Sequence, residues 1–151
     1  MGKEARSIPE EAKQGLIKAV RGAGDVGEAV VDSVSGIMTR TLRGTKQVGK
    51  ATIDTVGSSA STLVKTTADV GGDIGSAAKG AVKGAIEAAR DIGVTAEEAA
   101  SAAGTGALRA AGEIGTTAVD QVKRVLTGTI SGVKVVLKEP FDGKKKAAEE
   151  D

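Results

Sequence analysis

Residues 70–91 read Val-Gly-Gly-Asp-Ile-Gly-Ser-Ala-Ala-Lys-Gly-Ala-Val-Lys-Gly-Ala-Ile-Glu-Ala-Ala-Arg-Asp, and at residue 92 the pattern opens again with Ile-Gly. The opening recurs every 22 residues, at Val26-Gly27, Val48-Gly49, Val70-Gly71, Ile92-Gly93 and Ile114-Gly115. The residues just ahead of these openings are Asp25, Gln47, Asp69, Asp91 and Glu113. Five copies in fixed register make an array over residues 26–135, and its period decides how the chain is read.

Twenty-two is twice eleven, and eleven residues make three helical turns at about 3.67 residues per turn. With Val26 as the first of eleven positions, positions 1, 5, 9, 2 and 6 form one contiguous arc of a helix. Of the 27 Val, Ile, Leu and Met residues in 26–135, 25 fall on that arc, whereas 22 of the 23 charged residues fall off it. A strand pattern of period two would scatter both sets, so the array is an amphipathic helix signal. The arc is carried by Val26, Val30, Val34, Ile37, Val48, Ile53, Val56, Val70, Ile74, Ile86, Ile92, Leu108, Ile114, Val119, Val122, Val125, Ile130 and Val133. The single charge on it is Glu97. The register extends backwards through Ile8, Ala12, Leu16, Ala19, Val20 and Ala23, with Ile17 out of place, and forwards to Leu137.

Composition speaks against a conventional core. The chain of 151 residues has one aromatic, Phe141, and 22 glycines, 17 of them within the array. Small side chains bury little area each, and a glycine costs a helix interior about 1 kcal/mol relative to alanine. The fold class expected is therefore all-α: long amphipathic helices with an 11/22-residue repeat and glycine breaks, marginal or disordered when free and ordered on a surface or in an assembly.

The same composition narrows function. With 21 basic and 20 acidic residues the charge is nearly balanced, and one aromatic gives no stacking platform, so nucleic acid is not an expected partner. The chain has neither Cys nor His, which removes thiol chemistry, thiolate metal sites and the commonest general base. No enzymatic activity, cofactor, metal or small-molecule substrate is expected. No signal peptide and no uncharged apolar run of spanning length is visible, so the expected location is cytoplasmic, peripheral to a membrane or in an assembly.

Along the chain, residues 1–7 read as a flexible N-terminus. Ser7-Ile8-Pro9-Glu10 is a capping-box pattern opening a helix, and Gly22-Ala23-Gly24 is a hinge, so 8–25 forms a separate segment. Within the array, Gly57-Ser58-Ser59-Ala60-Ser61 and Gly71-Gly72 are expected breaks. The best-marked break lies at residues 93–95, where Gly93 suits a helix end and Thr95-Ala96-Glu97-Glu98 is a second capping-box pattern. Residues 114–135 continue the helical array. Residues 136–151 end it near Pro140 in a charged tail, with Phe141 as a candidate anchor.

Two partners suit the arc. A lipid surface fits a long, weakly apolar stripe with basic residues at one edge, Lys46, Lys79, Arg90, Lys123 and Lys134, whose stems can run along apolar surface. Helix packing fits the glycines on or beside the arc, Gly27, Gly49, Gly71, Gly93 and Gly115, together with the pairs Gly80/Gly84 and Gly128/Gly132 at small-x-x-x-small spacing.

In period, small-residue content and lack of aromatics, residues 8–139 resemble the helical repeats of synucleins, perilipins and group 3 late-embryogenesis-abundant proteins. The Lys-Thr-Lys-Glu-Gly-Val core of synuclein repeats is missing, with Lys65-Thr66-Thr67 the nearest fragment, and no functional residue carries over. The resemblance implies a non-enzymatic protein that binds a lipid or membrane surface through a repeated amphipathic helix. The alternatives are a self-assembling structural protein forming bundles, filaments or a shell, and a stress or desiccation protectant. The expected partners are a lipid surface, copies of the same chain, or both.

Overall fold

The computed structural model describes residues 14, 15, 18, 26–44 and 50–137. Among the described residues five helices follow one another: α1 (Val26–Arg43), α2 (Lys50–Asp69), α3 (Ile74–Ile92), α4 (Ala96–Ile114) and α5 (Thr116–Leu126). A short antiparallel hairpin, β1 (Thr129–Ile130) and β2 (Val133–Lys134), ends the series. Among the described residues the fold is all-α apart from that hairpin. The Ser7–Glu10 capping pattern, the Gly22–Gly24 hinge, Phe141 and the charged tail lie outside the described residues.

Copies three and four are each one helix, Ile74–Ile92 and Ala96–Ile114, followed by a break. At Val70-Gly71, Ile92-Gly93 and Ile114-Gly115 the opening falls at a break between helices, rather than along a continuous rod. Gly71 and Gly93 adopt φ of 80° and 78°, a left-handed conformation that a β-carbon would disfavour. The hydrogen bonds around them repeat as well. The Gly72 N–H donates to the Thr67 carbonyl at 2.8 Å, and 22 residues later the Val94 N–H donates to the Ala89 carbonyl at 3.1 Å. The next helices then start on Asp73 and Thr95, again 22 apart. Asp73 accepts from the Gly75 N–H, while Thr95 and Glu98 complete a reciprocal capping box at 3.0 Å each way. The breaks expected at 71–72 and 93–95 are both present.

Two expectations fail. Gly57-Ser58-Ser59-Ala60-Ser61 is no break: α2 runs through it from Lys50 to Asp69. Gly57 lies against another helix backbone there, so the tertiary contact offsets its poor helix propensity. The second failure is copy five, which is helical only to Leu126. Gly128 turns the chain at φ 101°, and the hairpin closes over Ser131 (φ 52°) and Gly132 (φ 79°), the positive pair a tight two-residue turn requires. Thr129, Ile130, Val133 and Val135 are β-branched and flank that Ser-Gly turn, so local propensity overrides the helical register.

The helices form two layers. α1 packs on α3 and α3 on α5, while α2 packs on α4; contacts between α3 and α4 do most to join the layers. α1 and α3 are parallel, because Val31 meets Gly80, Ser35 meets Gly84 and Arg43 meets Asp91, and α2 and α4 are parallel, because Gly57 meets Gly106 and Lys65 meets Glu113. The three-residue turn at 93–95 sends α4 back against α3. Of the 29 buried apolar residues among those described, 14 are alanine, so cohesion here comes from close helix approach more than from large side chains.

Candidate helix-packing interface

The narrowest contacts lie at glycines. A β-carbon on Gly80 would sit 2.6 Å from the Val31 carbonyl oxygen and 2.9 Å from Val34 Cβ. One turn on, a β-carbon on Gly84 would sit 2.5 Å from the Ser35 carbonyl oxygen and 2.6 Å from Met38 Cβ. Most of these neighbours are backbone or Cβ atoms, which cannot rotate away, so α1 and α3 meet at a distance only glycine permits. Across this notch the buried Thr39 hydroxyl donates to the Ser35 carbonyl at 3.0 Å and lies 3.3 Å from the Gly84 carbonyl.

The second layer repeats the arrangement one period later. Gly106 lies against the carbonyl of Gly57, and these residues stand 22 beyond Gly84 and Ser35. The ion pairs keep the same step. Arg43 Nε meets Asp91 Oδ2 at 2.7 Å, and Lys65 Nζ meets Glu113 Oε1 at 2.8 Å, both partly exposed. In each pair the acid follows the base by 48 residues, two repeats plus about one helical turn. Burial follows suit: Val30, Val34, Met38 and Leu42 of α1 and their equivalents Thr52, Val56, Ala60 and Val64 of α2 are all fully buried.

The residues picked from the sequence divide accordingly. On the arc, Val30, Val34, Ile37, Val56, Ile92, Leu108, Val122 and Ile130 are buried; Ile53, Val70, Ile74, Ile86, Val119, Val125 and Val133 are half-buried; Ile114 is exposed. Val26 opens α1, and Val48, Gly49 and Lys46 lie outside the described residues. Of the proposed packing glycines, Gly80 and Gly84 sit in the α1–α3 contact. Gly71, Gly93, Gly115, Gly128 and Gly132 do not pack helices: nothing lies within 4 Å of where their β-carbons would be, and all have positive φ. They sit where the chain turns, Gly71, Gly93 and Gly115 at repeat openings and Gly128 and Gly132 at the hairpin. Gly27 lies in the first turn of α1. Of the basic edge, Lys79, Arg90 and Lys134 are exposed and Lys123 is half-buried.

Sequence reasoning missed Gly57, Gly106 and Gly75, the last packed on Val125 and the Gln121 carbonyl. The signal was a second period: small residues 49 apart, at Ser35/Gly84 and Gly57/Gly106, mark parallel partners two repeats away. It also missed the residues that close the second layer. Gly104 faces Leu137 and Val135, and the Val136 N–H donates to Ser101 Oγ at 3.2 Å. Ser101 and Gly104 stand two repeats after Gly57 and Ala60, so residues 135–137 occupy the edge where a further helix of the array would lie.

Chemistry is sparse. The groove between α1, α3 and α5, about 790 Å³, sets Glu28, Asp32 and Asp73 against Lys79, Lys83 and Arg124, a balance that selects neither anion nor cation. Among the described residues no group of three or more acidic side chains is placed to hold a metal ion, and no helix is long and apolar enough to cross a membrane. No family model, curated protein or solved structure matches the chain.

Proposed function

We propose that this is a non-enzymatic structural protein that self-assembles by stacking its 22-residue helical repeats on one another, within a chain and between chains. The observation behind this reading is the recurrence of one backbone-to-backbone contact, Ser35 with Gly84 and Gly57 with Gly106, at a single-repeat step. A notch in the middle of an apolar stripe is wasted on lipid and suits a neighbouring helix. The parallel partners are never consecutive in the chain, so their pairing needs no particular loop, and a helix from another copy meets the same requirements. Stacks of this kind are held by nearest-neighbour interfaces and lengthen by adding units at an edge.

A lipid-surface role would require the helices to part, since Val30, Val34, Met38, Leu42, Val56 and Leu108 are fully buried among helices. Circular dichroism and sedimentation, from micromolar to submillimolar protein, with and without small anionic vesicles, separate the readings. Self-assembly predicts helicity indifferent to vesicles and particles that grow with concentration. A chain that is monomeric throughout, or that turns helical only with vesicles, would overturn it.

A further inference from the structure

The two ion pairs are one repeat apart, Arg43–Asp91 and then Lys65–Glu113. In each, the base lies on the earlier helix and the acid on its parallel partner. The base recurs on α4 as Arg109, two repeats after Lys65, and the acid recurs on α2 as Asp69, one repeat before Asp91. Both side chains are exposed, and neither is in an ion pair among the described residues. α4 thus carries the base of a contact it does not make, and α2 carries the acid.

The packing positions beside these charges agree in register. In the α1–α3 contact Val34 Cβ faces Gly80 and Met38 Cβ faces Gly84. Three repeats after Val34 and Met38 stand Ala100 and Gly104 of α4, and one repeat before Gly80 and Gly84 stand Ser58 and Thr62 of α2. The bulk has changed sides: Met38 faces a glycine on the later helix, whereas Thr62 would face a glycine on α4. A single whole-repeat shift produces both packing pairs and the ion pair. Ser58 and Thr62 are half-buried. Glu97, the one charge on the arc, stands where α1 has the half-buried Val31, a rim position from which a carboxylate stays in water.

We propose, resting on the self-assembly reading above, that copies of the chain stack head to tail, with α4 of one copy lying parallel on α2 of the next. Gly104 then lies over Thr62, Ala100 over Ser58, and Arg109 pairs with Asp69. The two faces differ, so the contact is heterologous and builds filaments or rings rather than a two-fold dimer. The α4 face is covered by the chain itself. Leu137 Cδ2 and Val135 Cγ1 would lie 2.8 and 3.1 Å from a β-carbon on Gly104, and the Val136 N–H donates to Ser101 Oγ. Side-chain tips and one hydrogen bond hold this cover, against backbone atoms in the helix pairs, so it is the contact that yields. An attached cover competes at high effective concentration, which gives assembly a threshold.

Light scattering of the full chain against concentration tests the contact. R109E and D69R, both with wild-type helicity by circular dichroism, should each raise the concentration at which particles appear by about two- to tenfold. Mixed in equal amounts they should regain the wild-type threshold, because every α4 face then finds an opposite charge on an α2 face of the other variant. G132A, which loosens the cover without touching either face, should lower the threshold. Single variants that assemble like the wild type, as they would if another segment of the same chain held the α2 edge, overturn the head-to-tail contact. So do variants that mixing does not rescue, and either result leaves the self-assembly reading standing. A threshold that G132A leaves unmoved or raises overturns the cover. A wild-type chain that is monomeric at every concentration removes the self-assembly reading and this contact with it.

Discussion

Gly84 and Gly36 are both helical glycines, yet opposite effects are expected of the same substitution. At Gly84 the added methyl meets the Ser35 carbonyl oxygen and Met38 Cβ. At Gly36 the nearest atom is the far end of the Arg40 side chain, at 3.9 Å. Overpacking costs about 1–3 kcal/mol, against a gain of about 1 kcal/mol in helix propensity. We expect G84A to destabilise by about 1–2 kcal/mol and G36A to stabilise by about 0.5–1 kcal/mol, both read from urea midpoints. Ser59 makes a further case. Its hydroxyl is fully buried with no hydrogen-bond partner, and the repeat places Ala81 and Ala103, also fully buried, at the equivalent positions. S59A should therefore stabilise by about 1 kcal/mol; an unchanged or lower midpoint would mean the hydroxyl is satisfied in solution.

At the scale of elements, the repeat opening does two jobs that the eleven-residue register hides. At Gly71 and Gly93 it ends one helix through a left-handed glycine, and it supplies the next cap two residues on, at Asp73 and Thr95. The capping box of Thr95 and Glu98 is the clearest instance, and T95A should cost about 1 kcal/mol, seen as a lower midpoint with an unchanged denaturant slope. The turn at 93–95 was legible because Gly93, Thr95 and Glu98 each carry a local signal and agree. Gly57 misled because its role depends on Gly106, 49 residues away, and no local window contains both. The hairpin escaped for the opposite reason. Ser131-Gly132 between β-branched residues is a local signal, but Ile130 and Val133 also satisfy the helical arc, and the longer pattern masked the shorter one. Replacing Gly132 by alanine forces a β-carbon into φ 79° and should loosen Val135 and Leu137, which follow β2, from α4. That loosening would show as faster amide exchange at Val135 and Val136, with α1 to α3 unaffected.

For the whole molecule, the helical class was legible in the sequence, and the apolar positions of its period place most of the buried residues among those described. What it left open was the partner of the arc. An eleven-residue stripe reads identically whether it faces lipid, another chain or the next-but-one helix, because each asks only for apolar side chains on one side. The structure gives the arc a partner inside the chain, through contacts set by a 48–49 residue spacing that the repeat permits but does not announce. The central claim is that the repeats order one another. Thermal unfolding of the dilute, lipid-free protein, followed by far-UV circular dichroism, tests it most directly. The account predicts a helical chain that melts in a cooperative transition. A chain that is mostly coil in buffer and gains its helix only when vesicles are added would contradict it.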